Sequence, residues 1–353
     1  MSAGTAEAGV QPRRIGIIKL SALGDVAKTV QTVRAIRRVH PAAAIAWCIR
    51  PVWSGLIEGN PDVDRIIPVP RSLRGLIHGM RALRAFRPDT ILDMQGLATS
   101  GLLAAASGAP NRYTWQSARE LSGLLTGNPI VPGPRDINVA ECNFGFARIM
   151  GATELPTDPP PYLTIGNPAA AAMRDVLEGL PRPVLAMHIG ASEPNKRWPV
   201  ERWAELASYL VGQGYGVIVL GGGSDRQAAE VVCRCQGAGP SQVNPLMMAG
   251  RTTLKELAAL VADCDLFVGC DSGATHVAAL VGARVVCLMG ATLPVHSGPF
   301  GPQHRILYLG LTCSPCYRRP TCEGRFDCMT GITVDSVIAA CREMLCARGA
   351  PGT

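Results

Sequence analysis

Asp271, Ser272, Gly273 and His276 follow the apolar run 266–268 within a few residues. That order predicts a short buried strand, a tight turn and a helix whose first N–H groups are uncovered. Such a helix end carries partial positive charge and free donors, so it is a ready phosphate site. Gly273 permits close backbone approach, Ser272 adds a hydroxyl, and His276 lies in the first helical turn. The competing reading is a plain strand-turn-helix with Asp271 as the cap. Asp25 stands where an earlier strand gives way to a helix. A carboxylate there either caps the helix or acts as a general base at the rim of a sheet. Arg71, Arg74, Arg81, Arg84 and Arg87 recur at spacings that put most of them along one side of a helix. They read as a solvated face or as an anion-contacting strip.

The elements that must carry these residues alternate strand and helix. Strands are expected over 15–20, 44–49, 65–69 and 90–93, with helices over 26–39 and 73–86 between them. The pattern repeats in strands over 184–188, 216–220, 247–249, 266–268 and 284–289. A helix begins at Pro199 and runs to about 211. Alternation of this kind predicts an α/β fold of doubly wound parallel sheets. The first loop has only Gly24 where a dinucleotide fingerprint needs three glycines, which argues against a dehydrogenase. The turn residues of 111–133 read as a loop over a cleft. The proline-rich run 154–168 reads as a stiff linker. The expected division is a disordered tail over 1–14, one domain over 15–165 and a second over 166–353. Asp62-Val63-Asp64 and Asp263-Cys264-Asp265 have the look of metal-binding triplets, but both fall in turn contexts where a structural role is favoured.

Of the 353 residues, 47% are hydrophobic and 17% charged, which fits a globular chain of two domains. No apolar run is long enough to span a bilayer, and the N-terminus lacks the apolar core of a signal peptide. The net charge of +7 is uneven, with 18 Lys and Arg against 12 Asp and Glu in residues 1–165. A basic half points to an anionic partner. Aromatic content of 5%, with no stacking platform, argues against nucleic acid. Thirteen cysteines is an odd number, and most sit in apolar elements, as in a reducing cytosol. Cys313, Cys316, Cys322 and Cys328 form a separate group, spaced C-x2-C-x5-C-x5-C in a loop rich in Pro, Gly and Arg. Four thiolates suit a structural zinc or iron, and free thiols are the bland alternative. A last helix is expected over 334–345.

Several motifs together resemble a known family. Lys19-x-Ser21-x-Leu23-Gly24-Asp25-Val26, Asn60-Pro61-Asp62-Val63-Asp64, Asp93-Met94-Gln95-Gly96, Lys196-Arg197-Trp198-Pro199, Asp271-Ser272-Gly273 with His276, and Cys313-Ser314-Pro315-Cys316-Tyr317 stand in the order seen in the ADP-heptose:lipopolysaccharide heptosyltransferases, glycosyltransferase family 9. The resemblance runs over about 15–345. It implies the GT-B fold, two Rossmann-like domains facing across a cleft, with the last helix packing back towards the first domain. It implies inverting transfer of heptose from ADP-heptose to the inner core of lipopolysaccharide, without an obligatory metal. The acceptor would be a lipid A-core phosphoglycolipid, met in the cytoplasm at the inner face of the membrane. Residue by residue, Asp25 matches the catalytic base and Lys196 the lysine on the donor diphosphate. Ser192, Asp271, Ser272, Gly273 and His276 match the donor site. Arg71, Arg74 and Gln95 fall to the acceptor. Asp225 stands near the position of a ribose-holding Glu, which leaves the nucleotide more open. Two alternatives remain: a related enzyme using another nucleotide-sugar, and a member that only binds.

Overall fold

The structure, a computed structural model, describes residues 12–131, 137–156, 161–234 and 244–346. Residues 1–11 of the expected tail and 157–160 of the expected linker lie outside the described residues. The chain divides into two compact units near residue 157, and residues 22–28 and 137–139 group with the second. The sequence expectation had placed 22–28 wholly in the first domain.

The first unit is built on β1 (Arg14–Ile18), β2 (Ala44–Ile49), β3 (Arg65–Pro68), β4 (Thr90–Asp93), β5 (Asn111–Trp115) and β6 (Asn128–Val131). They form one parallel sheet in the order β3-β2-β1-β4-β5-β6. The central strands are Ile-rich and buried on both faces, as strands covered by helices on each side must be. Its helices are α1 (Leu23–Val39), α2 (Pro51–Ser54), α3 (Leu73–Phe86), α4 (Ala98–Ala106), α5 (Ser122–Thr126) and α6 (Val139–Ile149). On α3 the residues Gly75, Gly79, Leu83 and Phe86 recur at helical spacing and are buried. Leu83 and Phe86 join Ile18, Cys48, Ile67 and Leu103 in the core. The Ser72 hydroxyl accepts from the Gly75 N–H and starts that helix.

The second unit holds β7 (Val184–His188), β8 (Gly216–Leu220), β9 (Leu246–Met247), β10 (Leu266–Cys270), β11 (Val285–Met289) and β12 (His304–Tyr308). Its parallel sheet runs β12-β11-β10-β7-β8-β9. Counted from its own first strand, this is the order of the first unit again. Its helices are α7 (Asn167–Glu178), α8 (Val200–Gly212), α9 (Arg226–Cys233), α10 (Leu254–Asp263), α11 (Gly273–Leu280), α12 (Pro294–Ser297), α13 (Asp327–Thr330) and α14 (Val334–Cys346). Trp203, Leu206, Met187, Val268, Leu288 and Val337 share its core. α14 packs on α8 and on β10, β11 and β12 of this same unit.

The two doubly wound α/β units agree with the expected GT-B architecture. Several local expectations are corrected. The stretch 111–131 is not a loop: it forms β5, α5 and β6. β12 was not foreseen. α1 begins at Leu23, so Asp25 lies inside its first turn and is not the cap. Pro199 is the cap of α8, which starts one residue later than expected. One carboxylate of each triplet is spent on structure. Asp64 Oδ2 accepts from Arg37 Nη2 at 2.6 Å and the Ile45 N–H at 2.7 Å. Asp265 Oδ2 accepts from Arg182 Nη1 at 2.9 Å and the Val184 N–H at 2.7 Å.

Candidate functional site

Each strand order reverses between the unit's first and fourth strands, where open parallel sheets bind ligands beyond their carboxyl ends. In the second unit the reversal lies between β7 and β10, which pair in register with Gly269 opposite His188. The loop after β10 carries Asp271, Ser272 and Gly273, and the loop after β7 carries Ser192 and Lys196. The structure therefore brings Lys196 to Asp271: Nζ donates to Oδ2 at 2.6 Å. The Thr292 hydroxyl donates to the same oxygen at 2.6 Å. His276 Nε2 lies 3.7 Å from Oδ1, a neighbour and not a firm hydrogen bond. Burial opposes the charge on Asp271, but His276 and the Lys196 ammonium outweigh it and hold the carboxyl well below the usual carboxylate range.

Asp271 thus faces inward. It was expected among the donor-binding residues; its Oδ2 is taken by Lys196 and Thr292, which suits it to holding the lysine in place. Ser272 caps α11, and its Oγ lies 3.3 Å from Thr275 Oγ1, which donates to the Cys270 carbonyl at 2.5 Å. Ser192, on the loop after β7, is exposed. Gly273 is required by a close approach: a Cβ there would stand 2.7 Å from Leu23 Cβ. Gly24 is held in the same way, since its Cβ would meet His276 Cδ2 at 2.8 Å.

The start of α1 completes the cluster. Asp25 is half-buried, and its charge acts on both Lys28 and His276. Lys28 follows Asp25 by one helical turn, is 7% exposed, and donates from Nζ to the Ser297 carbonyl at 3.3 Å. Burial lowers its pKa, against the raising effect of Asp25 and Asp271. Burial and the Lys28 charge bring the His276 imidazole down to about 4, so the ring is neutral at neutral pH. Lys28 was missed from sequence, where a lone lysine in a helix reads as solvent-facing; its one signal is the spacing of three from Asp25.

The remaining candidates separate. Gln95 Oε1 accepts from the Leu20 and Ser21 N–H groups at 3.0 and 3.2 Å, so its carbonyl shapes the loop after β1 and leaves Nε2 for an acceptor. Arg71 and Arg74 are exposed at the start of α3, with Arg81 and Arg84 on the same helix. Asp225 is turned inward: Oδ2 accepts from the Gly222 N–H at 2.8 Å and Oδ1 lies 3.1 Å from Arg197 Nη1. Among the four loop cysteines, Cys322 and Cys328 are buried and Cys313 is exposed. Burial, then Cys316, Cys313 and Cys322, push the Cys328 thiol up. No group of three or more His, Cys, Asp or Glu among the described residues is gathered as a metal site. The loop is tied to the Lys196 loop through Asn195, whose Nδ2 donates to the Tyr317 carbonyl at 2.7 Å.

Comparison with known proteins bears on this geometry. Residues 77–326 match the family described as glycosyltransferase family 9 (heptosyltransferase). Lipooligosaccharide heptosyltransferase 2 of Haemophilus ducreyi is 32% identical over 94% of this chain and 99% of its own. Lipopolysaccharide heptosyltransferase 2 of Salmonella typhimurium is 27% identical over 95% of this chain and 99% of its own. Among solved structures, a glycosyl transferase family 9 protein from Veillonella parvula superposes with a TM-score of 0.81 at 23% identity, covering 95% of this chain and 97% of that one. E. coli ADP-heptose lps heptosyltransferase II gives a TM-score of 0.77 at 24% identity, covering 96% and 100%. Those two likenesses speak to the fold.

Proposed function

The chain belongs to glycosyltransferase family 9 and is a glycosyltransferase; from that premise we propose that it moves heptose from ADP-heptose to the inner core of lipopolysaccharide, inverting the anomeric centre with Asp25 as general base and without a metal in the step. The observation that carries this reading is the cluster at the β7–β10 reversal, where Lys196 is locked on buried Asp271 beside the N-terminus of α11. A diphosphate there meets a lysine and uncovered helix N–H groups, which suit a leaving group that gains negative charge. As the acceptor hydroxyl attacks the anomeric carbon, Asp25 takes its proton. The bond from that carbon to the diphosphate oxygen breaks, and ADP departs with the electron pair. Lys28, facing Asp25 and Asp271, adds positive charge to the same place. That the relatives are lipopolysaccharide heptosyltransferases supports the heptose and the lipopolysaccharide, and the E. coli protein of like fold is an ADP-heptose enzyme.

The acceptor in this reading is an anionic phosphoglycolipid, reached in the cytoplasm at the inner face of the membrane. The charge excess of residues 1–165 supports it, as do the exposed Arg71 and Arg74. No helix among the described residues is long and apolar enough to cross a membrane.

Calorimetry with ADP-heptose, ADP-glucose and UDP-sugars tests the donor, and ADP-heptose is expected to bind tightest. Asp25→Asn is expected to keep donor affinity and lose at least about 10²-fold in kcat. A near-normal kcat would leave Asp25 as a helix residue and remove it as the base. For Cys313, Cys316, Cys322 and Cys328 we propose one structural zinc or iron whose binding draws these thiols together. Elemental analysis of untagged protein is expected to find about one equivalent, and less than about a tenth would remove the metal.

A further inference from the structure

In the second unit's sheet the steps from β7 to β8 and from β10 to β11 run in opposite directions. With right-handed crossovers, α8 and α11 then cover opposite faces. The packing agrees: α8 lies on α9 and α14, and α11 on α10. The proposed donor cluster stands at the start of α11. On the other face, beside the start of α8, is a cavity of about 340 Å³. Arg197, Trp198 and Trp203 line it from the loop after β7 and from α8, Ala228 from α9, and Arg325 and Phe326 from the segment before α13. None of the proposed donor residues lines it.

The walls are mainly apolar. Trp198 and Trp203 meet edge to face, with ring centroids 4.9 Å apart and planes at 90°. Phe326 is half-buried at the same cavity. Such walls suit a flat ring, and the volume admits a fused pair of rings. The polar atoms say what the ring carries. Trp198 Nε1 donates to the Ile332 carbonyl at 3.0 Å, but Trp203, only 1% exposed, leaves its buried Nε1 without a hydrogen-bond partner. A buried donor left unpaired is costly, and an acceptor atom on a ligand relieves that cost. Arg197 Nε donates to the Ala191 carbonyl at 3.0 Å, and Nη1 lies 3.1 Å from Asp225 Oδ1, which fixes that guanidinium. Arg325 is exposed and reaches Glu323 and Asp327 only at 3.4 Å, where solvent keeps such pairs weak. No acid lines the cavity. Two guanidinium forks without a lining acid match a carboxylate.

We propose that this cavity is a second ligand site, separate from the donor cluster, for a heteroaromatic carboxylate. The ring packs against Trp198, Trp203 and Phe326, a ring nitrogen accepts from the Trp203 N–H, and the carboxylate pairs with Arg325 and Arg197. The inference stands on the cavity and does not rest on the proposed function. From sequence Trp203 reads as a core residue of α8, and only the missing partner of its N–H marks it.

Calorimetry on the full chain tests it with four probes: quinoline-3-carboxylate, its carboxamide, 2-naphthoate and acetate. The quinoline carboxylate is expected to bind saturably and acetate not at all. Naphthoate keeps the shape but lacks the ring nitrogen, and is expected to bind at least about threefold more weakly, the scale of one neutral hydrogen bond. The carboxamide lacks the charge and is expected to bind at least about tenfold more weakly. Trp203→Phe is expected to erase the difference between quinoline carboxylate and naphthoate. Arg325→Gln, at an exposed position, is expected to weaken the carboxylate at least about tenfold and leave the carboxamide unchanged. If Trp203→Phe fails to fold, the naphthoate comparison in the unmodified chain and Arg325→Gln decide the matter. No saturable binding of the quinoline carboxylate up to about 10 mM overturns the site. Equal affinity for carboxamide or naphthoate, or unchanged affinity in Arg325→Gln, overturns it as well. ADP is expected to bind alongside the carboxylate, and displacement of the probe by ADP would make the cavity part of the nucleotide site and overturn the proposal. Failure of ADP to bind the unmodified chain strikes the proposed function and leaves this site standing.

Discussion

Lys28 lies one turn after Asp25 on α1, buried, with a long hydrogen bond to the Ser297 carbonyl. A charge held that way costs stability unless something else needs it. Asp25, Asp271 and Lys196, which act on it along with Cys287, belong to the cluster at the proposed site. Lys28→Met, which keeps the length and removes the charge, is therefore expected to leave the melting temperature unchanged or raised. The same variant is expected to lower kcat by at least about tenfold, as one lost electrostatic contact to a leaving group does. Unchanged kcat in a folded Lys28→Met protein would make the lysine structural. Asp25 and the Asp271 turn were legible in the sequence because strand-loop-helix boundaries expose them, whereas Lys196 came only through the family resemblance. The inward aim of Asp271 was not, since a turn aspartate reads the same whether it faces a ligand or a neighbouring lysine.

The turn after β4 shows how an element is fixed for such a site. Asp93 is fully buried, and its carboxylate accepts from the Gln95 and Gly96 N–H groups and from the hydroxyls of Ser100, Ser122 and Thr126. It ties the turn to α4 and α5, and that turn places Gln95 on the loop after β1. Burial raises the Asp93 pKa against these hydrogen bonds. In Asp93→Asn one oxygen becomes an NH2 group facing three hydroxyls. The expected cost is about 2–4 kcal/mol, read from denaturant midpoints, with the loss of protection greatest at α5 in hydrogen exchange. A cost below about 0.5 kcal/mol would show that the network is slack. The sequence expectation took the dense run of turn residues here for a loop. β5 and β6 carry Asn, Arg and Pro near the sheet's edge, so they lack the apolar run that betrays a central strand. β12, the opposite unit's edge strand, is only partly buried and was missed for the same reason. The central strands were legible because burial on both faces makes each one a continuous apolar run.

At the scale of the whole molecule, one strand order serves twice, but the two units carry different charge chemistry. The net positive charge lies mainly in residues 1–165, whereas His188, His276 and His304 all lie in the second unit. Burial lowers all three, His276 and His304 to about 4, against 6.5 for an unburied imidazole. A histidine whose folded pKa is lowered resists a proton that the unfolded chain accepts. Its contribution to stability is therefore complete above about 6.5 and is lost as pH falls towards 4. Each proton taken up on unfolding is worth about 1.4 kcal/mol per pH unit, so His276 and His304 together approach about 3 kcal/mol per pH unit near pH 5. Asp271, with its carboxyl held low, adds loss of the same sign at still lower pH. Acidification from pH 7 to pH 5 is thus expected to loosen the second unit first. Hydrogen exchange should show protection falling more steeply in β7, β10 and β11 than in β1, β2 and β4. His304→Gln, which removes one buried imidazole, should flatten the fall by about one proton's worth. Equal loss in both units, or an unaltered slope in His304→Gln, would mean that these rings are not what limits the fold in acid.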